Sequence, residues 1–112
     1  MKVSDLVQQL GLQILGGDQG LHREITGGYT SDLLSDVMGH AGAGQVWVTL
    51  QTHKNVMAIA SLKELAAVII VKGLQPERDM LEYGNIEEIP VLGTTEDAFG
   101  ISGKIYQMLN NT

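Results

Sequence analysis

Cysteine is absent from the sequence. That excludes disulfides, thiolate metal sites and a cysteine nucleophile. It suits a cytoplasmic protein without requiring one. Basic residues are scarce: 7 Lys and Arg stand against 13 Asp and Glu, none of the basic ones clustered, for a net charge of −6. A chain this acidic lacks the electrostatic footprint of a nucleic-acid binder, and the same charge argues against anionic membrane as a partner. Long apolar runs are missing too. The longest, from Leu65 to Val71, is far short of a membrane span, and MKVSDLVQQL lacks the apolar stretch of a signal peptide. The expectation is a cytoplasmic protein.

What is present is ordinary globular material: 112 residues, 44% hydrophobic and 18% charged, which predicts one domain over residues 1–112. Ser4 is a candidate cap for a short helix, with Leu6, Val7 and Leu10 on one face and Gly11 just past its end. Residues 12–15 read as a short strand, GGDQG (16–20) as a turn, and 22–29 as extended and irregular. In SDLLSDVMG, Ser31 is a candidate N-cap, Leu33, Leu34, Val37 and Met38 have helical spacing, and Gly39 reads as the stop.

From residue 45 the periodicity is clearer. Strands are predicted at 45–50, 66–71 and 89–92, and helices at 55–65, at 77–83 after Pro76, and after Thr94 or Thr95. In the 55–65 helix, Val56, Ile59, Ala60 and Leu62 should face inward. Met38, Met57, Met80 and Met108 fall at apolar helix positions and read as core filler. Gly100 and Gly103 in the last helix imply close packing on the sheet or on a second subunit. The fold class is α/β: a small three-layer-like domain whose mostly parallel sheet follows β-α-β-α-β-α order in the C-terminal two thirds.

In such sheets ligands bind beyond the carboxyl ends of the strands. Four polar segments should lie there: GGYTSD (27–32), QTHKN (51–55), KGLQPE (72–77) and GTTED (93–97). The bland reading of QTHKN is a helix start capped by Thr52 or Asn55. The functional reading is that Thr52, His53 and Asn55, with free backbone N–H groups, hold an anion or a nucleotide. GHAGAG (39–44) follows a helix, precedes a strand and lacks Lys, so it reads as a helix exit and turn rather than a phosphate loop.

His22, His40 and His53 form no i, i+4 pair, so no metal site is expected. Ser31, Ser35, Thr52 and Ser61 lie in no G-x-S-x-G setting. Asp32 and Asp36, one turn apart on the expected helix, read as a solvated face, as do Glu87 and Glu88.

Together, GGDQGLHREITGGYTSDLLSDVMGHAGAGQVWVTLQTHKNVMAIASL, AAVIIVKGLQPE and IPVLGTTEDAFG resemble a DRTGG domain over nearly the whole chain. DRTGG domains occur as regulatory modules in some phosphotransacetylases and between CBS domains in some family II pyrophosphatases. They resemble the N-terminal, non-kinase domain of HPr kinase/phosphorylase. Small stand-alone versions occur, some near genes for iron hydrogenases. Where the family name implies Asp-Arg, this sequence has Thr52-His53; where it implies Thr-Gly-Gly, it has Val71-Lys72-Gly73. Stand-alone relatives carry a T-x-H-x-N pattern, matched here by Thr52, His53 and Asn55.

The resemblance implies a homodimer and a regulatory, non-catalytic role. Kinase chemistry needs a phosphate cradle with Lys and a metal-holding carboxylate, and the sequence has neither in context. The expected function is therefore a homodimeric regulatory module that binds a small anionic ligand, a nucleotide or phosphate metabolite, or a partner protein. Ser31, Asp32, Thr52, His53 and Asn55 are the candidate ligand-binding residues, with no catalytic residue and no cofactor. The alternative is a pure protein-assembly module of a redox or hydrogenase-associated system. A small enzyme using His53 and Asp32 is the third reading.

Overall fold

The computed structural model describes residues 1–110; the last two residues of the expected 1–112 unit lie outside the described residues. The elements are α1 (Val3–Leu10), β1 (Gln13–Gly16), a 3-10 turn (Asp18–Gly20), β2 (Gly27–Thr30), α2 (Leu34–His40), β3 (Gln45–Thr49), α3 (Lys54–Leu62), β4 (Ala67–Ile70), α4 (Arg78–Glu87), β5 (Val91–Gly93) and α5 (Ala98–Asn110).

One five-stranded sheet runs in the order β1-β5-β4-β3-β2. β2, β3, β4 and β5 are parallel, and β1 pairs antiparallel with β5 at the far edge. The fold is the mixed α/β, mostly parallel arrangement expected. The alternation begins one unit earlier than the sequence suggests, because the end of the irregular 22–29 stretch forms β2. Its Gly27 and Gly28 pair with Gln45 and Val46 despite the low strand preference of glycine.

Side chains alternate across the central strands, as pleating requires. Val46, Val48, Ala67, Ile69 and Leu92 face one apolar cluster with Leu6, Ile101 and Ile105 from α1 and α5. Trp47, Val68, Ile70 and Val91 face another with Val37, Val56, Met57, Ala60 and Met80 from α2, α3 and α4. Two helical layers thus sandwich the sheet. Each fully buried aliphatic side chain contributes about 1.5–3 kcal/mol of transfer free energy.

Several helix ends differ from expectation. α1 begins at Val3 rather than after a Ser4 cap. Asp5 accepts from Lys2 N–H at 2.9 Å, while the Val3 amide donates to the Arg23 carbonyl, so contacts with residues 21–25 fix the start. Gly11, in the left-handed region, closes the helix as expected. α2 begins after Leu33, and Gly39 lies inside it; Leu33 and Met38 are exposed, leaving Val37 as its buried residue. Asp32 is therefore off the helix rather than one turn from Asp36. α4 starts after Glu77 and runs to Glu87, beyond the expected end at Tyr83.

Gly84 lets α4 continue against the sheet: a Cβ there would stand 2.9 Å from a Val91 methyl and 3.1 Å from the Ile89 carbonyl. α5 is capped not by Thr94 or Thr95 but by Asp97, whose carboxylate accepts from Gly100 N–H at 2.8 Å.

Two packing expectations also change. Leu62 is 68% exposed. It lies about 240° around the helix from Val56, away from the stripe formed by Val56, Met57, Ile59 and Ala60. Met57 and Met80 are buried and Met108 is half-buried against the core, but Met38 is exposed. GHAGAG is the expected helix exit and turn: Gly39 and His40 end α2, and the turn follows with Gly44 at φ +81°.

Candidate functional site

The parallel register of β2 to β5 brings their carboxyl ends to one edge of the sheet. QTHKN and KGLQPE follow those ends and GTTED does so after Gly93, but Gly27–Thr30 of GGYTSD form β2 itself, so only Ser31 and Asp32 of that segment lie beyond its strand. Asp32, two residues beyond β2, reaches across to the end of β3. Its Oδ1 accepts from Thr49 Oγ1 at 2.9 Å and from Leu50 N–H at 2.7 Å, and its carbonyl accepts from the Gln51 amide group at 2.8 Å. Thr49 is the buried polar side chain of the core, and Asp32 satisfies its hydroxyl. Ser31 Oγ accepts from Leu33 N–H at 3.1 Å in a tight turn, not as a helix cap, and the Ser31 carbonyl accepts from Trp47 Nε1 at 2.8 Å.

The QTHKN loop turns from β3 into α3. His53 occupies the N-cap position with extended backbone, yet no side chain caps the helix. The expected caps, Thr52 and Asn55, therefore do not serve: Thr52 precedes the cap and Asn55 sits exposed in the first turn. His53 Nδ1 lies 2.5 Å from Glu77 Oε2, and the Glu77 amide donates to the Thr52 carbonyl at 3.0 Å. Glu77 thus ties the start of α4 to the start of α3. The sequence offers Glu77 only as a residue next to Pro76; its partnership spans 24 positions and has no local signature.

Ser31 and Asp32 therefore share the strand-end rim with Thr52, His53 and Asn55, linked through Leu50 and Gln51. His53 pairs with Glu77 rather than Asp32, so the two residues of the enzyme reading are engaged with different partners. Among the described residues, no group of three or more His, Asp or Glu is arranged to hold a metal ion.

Next along the rim, the connections change sides. β4 leads into α4 on the α2–α3 face, while β5 leads into α5 on the opposite face. Such a switch opens a crevice in α/β sheets. Here a cleft of about 390 Å³ lies at that point, with Gly73, Gln75, Thr94, Thr95 and Glu96 on its walls beside Leu10 and Leu15. Its two loops are joined by Lys72 N–H to the Glu96 carbonyl and Gly73 N–H to the Thr94 carbonyl, each 2.8 Å. The sequence does not reveal this cleft, because helical periodicity does not say which face of the sheet a helix takes. A larger cleft of about 550 Å³ lies elsewhere, between β2 and α5.

Below the rim, Tyr29 Oη donates to Asp36 Oδ2 at 2.9 Å. That bond holds the Asp36 carboxyl below its ordinary value, helped by Ser31 and His40, and raises the Tyr29 phenol.

No family model matches the sequence, and no curated protein matches it. A solved structure does: the CBS and DRTGG domains of the regulatory region of Clostridium perfringens pyrophosphatase, complexed with the activator diadenosine tetraphosphate. The TM-score is 0.74 at 14% sequence identity, over 95% of this chain and 46% of that one. The chain thus spans about half the length of that structure, and at this identity the likeness is one of fold. No helix among the described residues is long and apolar enough to cross a membrane. With its sheet order, its two helical layers and this structural likeness, the chain has a DRTGG-like fold.

Proposed function

We propose that this protein is a non-catalytic regulatory module, homodimeric, that binds a small anionic ligand, a nucleotide or phosphate metabolite, at the strand-end rim. The observation that carries the reading is the start of α3: a helix N-terminus on the rim with no capping side chain, opened by His53 and Lys54. Unsatisfied N–H groups and the helix dipole favour negative charge there. Thr52, His53 and Asn55 contact the ligand, while Ser31 and Asp32 hold the neighbouring strand ends in place. The cleft at the β4–β5 switch gives room for the rest of a nucleotide-sized molecule. That the neighbouring structure is a regulatory region holding a nucleotide activator agrees with this reading.

The test is thermal unfolding against nucleotides, acyl phosphates and inorganic phosphate, with Thr52→Ala and His53→Ala alongside. A ligand at 100 times its Kd stabilises by about 2.7 kcal/mol, on the order of 10 °C for a domain this size. The expected result is a shift in the parent protein that both variants lose. A shift retained in both would move the site elsewhere.

A second reading is a protein-assembly module, without a small ligand, of a redox or hydrogenase-associated system. The observation favouring it is the exposure of Phe99 and Tyr106 on one helix. No shift with any compound of the panel would favour this reading.

A further inference from the structure

α5 carries one exposed stripe. Phe99, Gly103, Tyr106 and Asn110 are exposed at helical spacing and, with the half-buried Ser102 and Leu109, line one wall of the 550 Å³ groove, whose other wall is β2. Phe99 is 91% exposed and Tyr106 71%. Between them a Cβ built on Gly103 would meet nothing within 4 Å. The sheet therefore does not require glycine at 103, although glycine in a helix costs about 1 kcal/mol relative to alanine. β2 is an edge of the sheet, with Gly27 and Gly28 bare of side chains. A strand edge of that kind is open to pairing.

Charge identifies the occupant. The chain has 7 basic and 13 acidic residues and a net charge of −6, yet none of the 14 residues lining this groove is charged. Lys104, the charged residue within α5, is held by Glu96 at 2.9 Å. Two acidic copies repel each other, and a face without charge is the one on which they can meet without burying unpaired ions. The stripe is also self-complementary. Phe99 precedes Gly103 by four residues and Tyr106 follows it by three, about 6 and 4.5 Å along the axis. Where two α5 helices cross antiparallel at Gly103, Phe99 of one copy meets Tyr106 of the other, as a two-fold interface requires.

We infer that the groove between β2 and α5 is the docking surface for a second copy of this chain, with the two α5 helices crossing at Gly103. The inference rests on the homodimer in the reading above and assigns its face.

Light scattering on the size-fractionated full chain tests it, with Phe99→Asp/Tyr106→Asp, Gly103→Leu, and Leu62→Asp/Ile86→Asp as a control at exposed apolar residues elsewhere. The parent and the control should show twice the chain mass of 12.1 kDa. Phe99→Asp/Tyr106→Asp should show the single mass. Gly103→Leu, whose side chain has free space within one copy, should raise the dimer Kd about tenfold or more. Circular dichroism checks that each variant remains folded. A monomeric parent would overturn both the face and the homodimer. A dimer that survives all groove variants would overturn the face alone. Ligand-induced stabilisation is a separate readout, so neither result is confused with failure of the ligand reading.

Discussion

Glu77 and His53 bridge the starts of two consecutive crossover helices, with Oε2 and Nδ1 at 2.5 Å. Both side chains are more than half exposed, so the pair contributes no more than about 1 kcal/mol. Its larger effect is on charge: a carboxylate stands beside the helix end proposed to receive an anion. Glu77→Gln is expected to leave the unfolding midpoint within a few degrees of the parent and to strengthen phosphate binding. Isothermal titration with inorganic phosphate measures this. Weaker binding in Glu77→Gln would mean that the carboxylate orients His53 rather than opposing the ligand.

Asp32 satisfies the buried Thr49 hydroxyl and the Leu50 amide at once. Asp32→Ala should therefore cost about 1–3 kcal/mol in urea unfolding, the usual effect of orphaning a buried polar group. Asp32→Asn, which keeps an oxygen acceptor, should cost less. Combined with Thr49→Val, Asp32→Ala should be clearly less than additive. Additive losses would show that the two side chains stabilise the fold independently.

The Tyr29–Asp36 bond sets two pH limits. It lowers the Asp36 carboxyl below its ordinary value of 3.8, with Tyr29 as the largest cause. In acid the unfolded state therefore binds the proton first. The resulting stability is complete above about pH 3.8 and is lost as pH falls through the lowered value. The same bond raises Tyr29 above its ordinary value of 10.0, so stability is complete below about pH 10 and is lost as pH rises through the raised value. The difference in urea midpoint between the parent and Tyr29→Phe should be flat between these limits and shrink beyond each. A difference that persists unchanged at both extremes would assign the effect to packing alone.

Two glycines on consecutive helices, α4 and α5, should respond in opposite ways. At Gly84 a Cβ would press on Val91 and on the Ile89 carbonyl; overpacking of this kind costs about 1–3 kcal/mol and outweighs the gain in helix preference. Gly84→Ala should lower the melting temperature. At Gly103 a Cβ meets nothing, and Gly103→Ala in the dissociated chain should gain about 1 kcal/mol. Calorimetry of both variants in the charged Phe99→Asp/Tyr106→Asp background separates helix preference from dimer packing.

The central sheet was legible because β3 and β4 are covered on both faces and so read as unbroken apolar runs around Trp47 and Ile69. β2 was hidden because glycine at 27 and 28 gives no strand signal. Ser31 has the residue type of a cap, but its hydroxyl closes a turn one residue short of the helix. The QTHKN loop could be placed at a strand end from pattern alone. What Asp32 and His53 touch could not, because Thr49 and Glu77 lie 17 and 24 positions away. The side-switch after β4 was equally silent. α5 has an apolar stripe that would suit either face; in the structure it packs on β2 and β3, on the face opposite α2, α3 and α4.

The strand order also separates short-range from long-range pairing. β2, β3, β4 and β5 each lie beside their neighbour in sequence, so these four strands can pair by short steps such as the 21-position closure from Trp47 to Val68. β1 is different: Gln13 meets Gly93, 80 positions on. By chain entropy that closure costs about 1 kcal/mol more. In the sheet β1 therefore has no strand partner until β5 is in place, and its pairing is the longest-range of the four strand pairings.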